Sequence, residues 1–357
     1  MDFTPLDVKS SYSLLKSPTR ISDLVTTAKE RGYKALALTD ENVLYGAVEF
    51  YNAAKKAGIK PILGLRLVVA LNETDGTKLD LVFLAKNQRG YQHLMDLSTL
   101  QQTRKDKKIP LTIAQISSLL GELFIIIPPQ STVFSILAQP TSILTELANL
   151  GDDDSVLLGV NSRLDDVQID TLQQLSKQLS LPLVGTSPVD YLNANDLFAS
   201  RVLQAIDAGV ELKDPTIEAR RRGQHYLHSK EQIIQDYNAK GLSAAAQKTV
   251  EVAALCNVEL QFRAPVLPHF KNQAGIPSQQ YLRSLCIQGL KKRRVAPGKT
   301  IQQYQERLAM ELKVIHEMGF DDYFLIVWDV MNFAHQQKIT PDPGRGSAAG
   351  SLVAYAL

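Results

Sequence analysis

Short apolar runs alternate with longer amphipathic stretches from the start of the chain to about Gly209. The runs at 36–38, 62–71, 81–85, 123–127, 156–159 and 183–184 are rich in Leu, Ile and Val, and they predict short buried strands. Between them, apolar residues recur at helical spacing over 21–31, 47–56, 88–100, 133–138, 142–150, 165–179 and 195–208. Pro140 separates the helices at 133–138 and 142–150, because proline breaks a helix interior. Strands alternating with helices of this length predict parallel βα units, and about seven strands leave a choice between a barrel and an open doubly wound sheet. In a barrel, reactive groups gather at the C-terminal ends of the strands. Beyond Gly209 helices dominate, with a turn around 265–268. The expected organisation is a core over 1–209, an extension or linker over 210–268, and a further segment over 269–357.

At 357 residues the chain is long enough for about two domains, and 45% hydrophobic content excludes a disordered class. The net charge of +2 announces no polyanionic partner for the whole chain. Basic residues do cluster locally, at Arg104–Lys108, at Arg220-Arg221-Arg222, and at Lys291-Lys292-Arg293-Arg294 with Lys299. Such runs are more often solvated faces than phosphate sites. Cys256 and Cys286 are far apart and fit free thiols of a reducing compartment. The N-terminus has no signal-like apolar run, and the longest apolar runs are too short to span a bilayer. A soluble, cytoplasmic protein without membrane contact is expected. The six His residues show no zinc spacing, and His225 and His228 are expected at the surface, in a strand before a helix at 230–237.

Near the end lies Pro343-Gly344-Arg345-Gly346-Ser347-Ala348-Ala349-Gly350-Ser351, which runs into an apolar helix. Glycines allow close backbone approach to a ligand, and the first N–H groups of a helix favour an anion. Ser347 is a candidate N-cap, and Arg345 offers a planar fork of donors. Arg345, Gly346 and Ser347 are thus candidate phosphate-binding residues. A small-residue helix packed closely on a neighbour would use the same glycines, and the pattern is neither a dinucleotide fingerprint nor a P-loop.

Longer motifs carry a family resemblance. Ser10-Ser11-Tyr12-Ser13-Leu14-Leu15, Ala35-Leu36-Ala37-Leu38-Thr39-Asp40, Gly46-Ala47-Val48-Glu49-Phe50-Tyr51 and Gly58-Ile59-Lys60-Pro61-Ile62-Leu63-Gly64 follow one another in order. Together with Leu84-Ala85-Lys86-Asn87, they resemble the N-terminal PHP (polymerase and histidinol phosphatase) domain of the bacterial replicative polymerases of the DNA polymerase III alpha family. Met318-Gly319-Phe320, Tyr323–Asp329 and the glycine-rich stretch resemble the start of that family's palm domain. The resemblance implies a PHP-type distorted β/α barrel, then a mostly helical extension, then the beginning of a polymerase palm. It implies an N-terminal portion of a DNA-directed DNA polymerase, with DNA primer-template and dNTP as substrates. Other replisome subunits, including a proofreading exonuclease docked on this region, are implied partners.

The resemblance also assigns residues. It makes Arg345, Gly346 and Ser347 part of the incoming triphosphate's pocket, with Asp342 standing where the family has Gly. It places the catalytic aspartates, and the Mg²⁺ they hold, beyond Leu357, so that this chain alone is expected not to polymerise DNA. Asp321 and Asp322 read as acids in the first turn of a helix, and Asp329 as a structural or surface acid.

In PHP domains that bind metal, His and acidic residues form a site for phosphoester hydrolysis. Here the opening His-x-His-x-His is Pro5, Asp7 and Lys9, and a following acid is Lys16. Asp40 remains but the His after it is Glu41; a Glu becomes Arg66, and further His positions are Asp80, Asp190 and Ser200. The degenerate site is therefore expected to comprise Asp7, Lys9, Lys16, Asp40, Glu41, Arg66, Asp80 and Asp190, with protein cations in the place of metal charge and no cofactor bound. A buried charge cluster is costly unless paired, which makes such an exchange physically reasonable. One competing reading keeps enough oxygen ligands for one Mg²⁺ or Mn²⁺ and a metal-dependent phosphoesterase or 3′–5′ exonuclease activity; another makes the chain a non-catalytic module that docks a proofreading exonuclease.

Overall fold

The computed structural model describes residues 2–71, 78–107, 109–129, 131, 140–151, 154–219, 225–262, 266–272, 275–342 and 346–357. The chain forms two compact units, Met1–Gln261 and Phe262–Leu357. Among the described residues no helix is long and apolar enough to cross a membrane.

Among the described residues, seven strands build the sheet of the first unit: β1 (Ala35–Leu38), β2 (Lys60–Ala70), β3 (Lys78–Ala85), β4 (Leu111–Thr112), β5 (Leu123–Ile127), β6 (Val156–Val160) and β7 (Leu183–Gly185). Their order is β1-β2-β3-β5-β6-β7, with β4 beside the end of β2. Pairs β1–β2, β5–β6 and β6–β7 are parallel as the pattern predicts. Strand β3 departs from that expectation and runs antiparallel to both β2 and β5. The reason is local: β2 ends at Ala70 and β3 begins at Lys78, too short a link for the crossover of a dozen or more residues that a parallel pair needs. An extended segment over 5–9 joins the two ends of the sheet. Val8 bridges Val189, just past β7, while the Ala37 and Thr39 amides of the β1 edge donate to the carbonyls of Pro5 and Val8 at 3.0 and 2.8 Å.

Alternation along the strands sorts side chains to two faces. Leu63, Leu65, Leu67 and Val69 of β2, with Leu79, Leu81 and Phe83 of β3, pack outward among the covering helices. Ile62, Val82, Leu84, Phe124, Ile126, Leu157 and Val184 fill the interior with Leu6. Val252, Ala253 and Cys256, on and just after helix Ser243–Leu255, join this inner cluster. That helix therefore belongs to the barrel, inside the region expected to be an extension, and the compact unit continues to Gln261. Arg66 and Asp80 share the inward phase of their strands, so the interior is apolar at one end and charged at the other.

The second unit is helical. Helices Ser278–Lys292, Ile301–Glu317 and Asp321–Gln336 enclose a core of Leu282, Cys286, Leu290, Leu308, Ile315 and Leu325, completed by Val353 and Ala356 of the last helix, Leu352–Ala356. Gly289 is required at its position: a Cβ there would stand 1.8 Å from the Ala356 carbonyl oxygen.

Candidate functional site

Arg66 is the centre of the charged end. Its Nη1–H donates to both oxygens of Asp7, at 2.7 and 2.6 Å. Its Nε–H donates to Asp80 Oδ1 at 2.9 Å, and its Nη2–H to Asp80 Oδ2. Arg66 is 6% exposed and Asp7 2%. Burial opposes the guanidinium charge, but Asp7 and Asp80 outweigh it and hold the group protonated. The planar fork of Arg suits this double grip, which a lysine could not reproduce. Beside it, Lys9 Nζ lies 3.1 Å from Asp190 Oδ1, and both side chains are largely buried.

Asp40 is buried, and its carboxylate accepts from the Ser10 amide at 2.7 Å, the Ser10 hydroxyl at 2.7 Å and the Ser13 hydroxyl at 2.6 Å. Burial pushes its carboxyl up from the usual range, partly offset by the bonds from Ser13 and Ser10. Its work is to pin the turn that follows the segment over 5–9. Glu41 is tied through its backbone: its amide donates to Ser13 Oγ at 2.9 Å, and it bridges Arg66 in parallel register. Lys16 does not join the cluster. Its ammonium pairs with Asp207 of helix Leu197–Ala208 at 2.6 Å, and both side chains are partly exposed.

His228 is buried, against the surface position expected, whereas His225 is only partly covered, its side chain 30% exposed. A bridge between Tyr191 and Tyr226 lays the histidine segment along residues 190–192. His225 Nδ1–H then reaches Asp190 Oδ2 at 2.9 Å, and His228, 5% exposed, stacks on Tyr226 with its Nε2 at 2.8 Å from Arg163 Nη2. The sequence signal that could have found His225 is only its strand-like setting, since its partner is 35 residues away. Ser10 and Ser13 were visible as motif residues, but nothing in their spacing pointed to Asp40.

In the second unit, Arg345 lies outside the described residues. Gly346 has φ 95°, in the left-handed region that favours glycine, and Ser347 opens a single 3₁₀ turn, Ser347–Gly350. The N-cap position of the last helix falls to Ser351 rather than to Ser347. Ser351 Oγ accepts from the Ala354 amide at 3.2 Å. The helix N-terminus is not open to an anion either: Glu311 Oε2 accepts from the Leu352 and Val353 amides at 2.8 and 3.1 Å. Asp342 is exposed. Asp321 pairs with His316 at 2.7 Å, Asp322 holds Ser278 and His269, and Asp329 is exposed.

Comparison with known proteins follows the same division. Residues 5–131 match the family described as PHP domain, and residues 280–357 match the bacterial DNA polymerase III alpha NTPase domain. DNA polymerase III subunit alpha of Halalkalibacterium halodurans is 37% identical over 100% of this chain and 32% of its own length. The Bacillus subtilis protein of the same name is 35% identical, also over 100% and 32%. Among solved structures, an amidohydrolase from Chromobacterium violaceum aligns over 53% of this chain and 87% of its own at TM-score 0.38 and 12% identity. The chain spans about a third of the length of these curated relatives. With both domain families present in the same order as the two compact units, the chain belongs to the bacterial DNA polymerase III alpha family.

Proposed function

We propose that this chain serves a DNA-templated replicative DNA polymerase, with its barrel acting as a metal-free protein platform. Its second unit contributes a glycine-rich turn, through Arg345, Gly346 and Ser347, to the triphosphate of an incoming dNTP. The observation that carries the platform reading is the grip of Arg66 on Asp7 and Asp80. Those two carboxylates and Asp190 are the oxygen donors a divalent ion would need, and each already answers a buried or half-buried protein cation. A metal could enter only by displacing Arg66 and Lys9, so the residues do not fit a PHP metal centre. Among the described residues, no group of three His, Cys, Asp or Glu side chains converges as metal ligands do.

Polymerisation needs carboxylates that hold two metal ions about 4 Å apart. Asp321 and Asp322 are engaged in pairs within their own unit, so this reading assigns Mg²⁺ and the nucleotidyl transfer to other parts of the polymerase. Primer-template DNA, dNTP and further replisome subunits are the partners it implies, in the cytoplasm. A nuclease assay on this chain with Mn²⁺ or Mg²⁺, using a labelled 3′-recessed duplex, tests the platform reading. No metal-dependent cleavage is expected. Robust cleavage that disappears in Asp7→Asn would overturn it in favour of a phosphoesterase or exonuclease.

A further inference from the structure

Glu311 lies on helix Ile301–Glu317, yet its carboxylate is used forty residues away. Oε2 accepts three hydrogen bonds: from the Ser351 hydroxyl at 2.9 Å, the Leu352 amide at 2.8 Å and the Val353 amide at 3.1 Å. Oε1 takes Arg307 Nε–H at 2.6 Å. The Glu311 side chain is 11% exposed, whereas Arg307 is 56% exposed. These donors sit where the glycine-rich stretch passes into the last helix.

The arrangement does more than cap a helix. Ser351 Oγ already accepts from the Ala354 amide, and by giving its proton to Glu311 it is oriented to do so. At the other end, the Ala356 carbonyl rests against Gly289 without room for a Cβ. The last helix is thereby tied to two neighbouring helices, one at each end. The 3₁₀ turn Ser347–Gly350 and the left-handed Gly346 hang from its fixed start. Charge-assisted bonds are among the stronger ones available, and three converge on one oxygen. A phosphate cannot use the Leu352 and Val353 amides while Glu311 holds them, so a triphosphate must be received upstream, on the turn that Glu311 sets.

We propose that Glu311 is a positioning residue, an internal carboxylate that fixes the chain at 351–353 and so holds the glycine-rich turn in the shape that receives a triphosphate. The proposal rests on the triphosphate reading of that turn.

The test uses the whole chain as wild type, Glu311→Ala, Glu311→Gln and Arg345→Ala. Amide hydrogen exchange is read on peptides covering 346–357, and inorganic tripolyphosphate binding is read by calorimetry. Glu311→Ala should speed exchange across 346–357 while leaving barrel peptides unchanged, and should weaken tripolyphosphate binding about tenfold, the scale of one charge-assisted hydrogen bond. Glu311→Gln keeps an acceptor for the two amides but sets a donor against Arg307, so it should recover part of both effects. Unchanged exchange in Glu311→Ala overturns the proposal. So does faster exchange with unchanged affinity, which would make the role purely structural, and so does tighter binding, which would make Glu311 a competitor of the phosphate. Absent binding by the wild type, or undiminished binding by Arg345→Ala, sinks the triphosphate reading instead; the exchange measurement then still decides whether Glu311 holds the turn.

Discussion

Arg66 cannot be shortened without stranding two carboxylates, one of them fully buried. Arg66→Leu should therefore destabilise the barrel by roughly 3–5 kcal/mol, the cost of breaking a buried pair from one side. The urea midpoint of the barrel transition reads this, and Arg66→Lys should recover only part, since an ammonium cannot grip both acids. Asp40 makes a prediction of unusual sign. Burial raises its folded-state pKa above the unfolded value, so the folded state takes the proton first as pH falls. Its contribution to stability should rise as pH drops through the folded value and level off below the unfolded one. The unfolding free energy of wild type minus that of Asp40→Asn should increase on acidification from neutrality; a decrease would refute this. The identities of the charges at the barrel end were legible in sequence, because Lys or Arg in a ligand motif changes the sign of the site. Their pairings were not. Lys16 reads like Lys9 in sequence, yet it finds Asp207, and His225 enters only because a bridge near Tyr191 brings it there.

Among elements, the contact between helix Ser278–Lys292 and the last helix leaves no tolerance. Gly289→Ala would push a methyl group onto the backbone oxygen of Ala356, and backbone cannot swing aside as a side chain can. A loss of about 1–3 kcal/mol is expected in the second unit, read by chemical denaturation followed by the fluorescence of Trp328, which meets Phe270 and Tyr281 edge-on in that unit. Glu311 ties the same helix from its start, and its pH response runs opposite to that of Asp40. Burial works to raise its pKa, but bonds from Arg307, Val353, Ser351 and Leu352 outweigh it and hold the carboxyl below its ordinary value. The anchoring should be fully present above the unfolded pKa and lost as pH falls through the folded one. Among the described residues, helix and strand positions were largely legible from periodicity, since buried faces repeat at 3.6 or 2 residues, while the helix expected over 133–138 lies outside them. Strand direction was not, because β3 has the same apolar content whichever way it runs. The two-residue β4 is too short to leave a pattern.

For the molecule as a whole, the described apolar cores divide between the two units: the outer and inner barrel clusters in one, and the helical cluster in the other. Leu325→Ala, in the helical cluster, should cost about 2–5 kcal/mol there and leave the barrel transition in place. Calorimetry in which both transitions shift together would contradict separate cores. The barrel itself depends on the segment over 5–9, which lies between the β1 edge and the strand-like stretch at Val189. Val8 and its bridge partner Val189 are about 180 residues apart in the chain, and synthesis proceeds at roughly 5–20 residues per second. Residues 5–9 must therefore wait on the order of ten seconds or more after their own synthesis for the partner that completes their pairing. Until then Leu6 and Val8, fully buried in the folded unit, lack the partners that cover them, which makes this nascent segment a natural client for a chaperone.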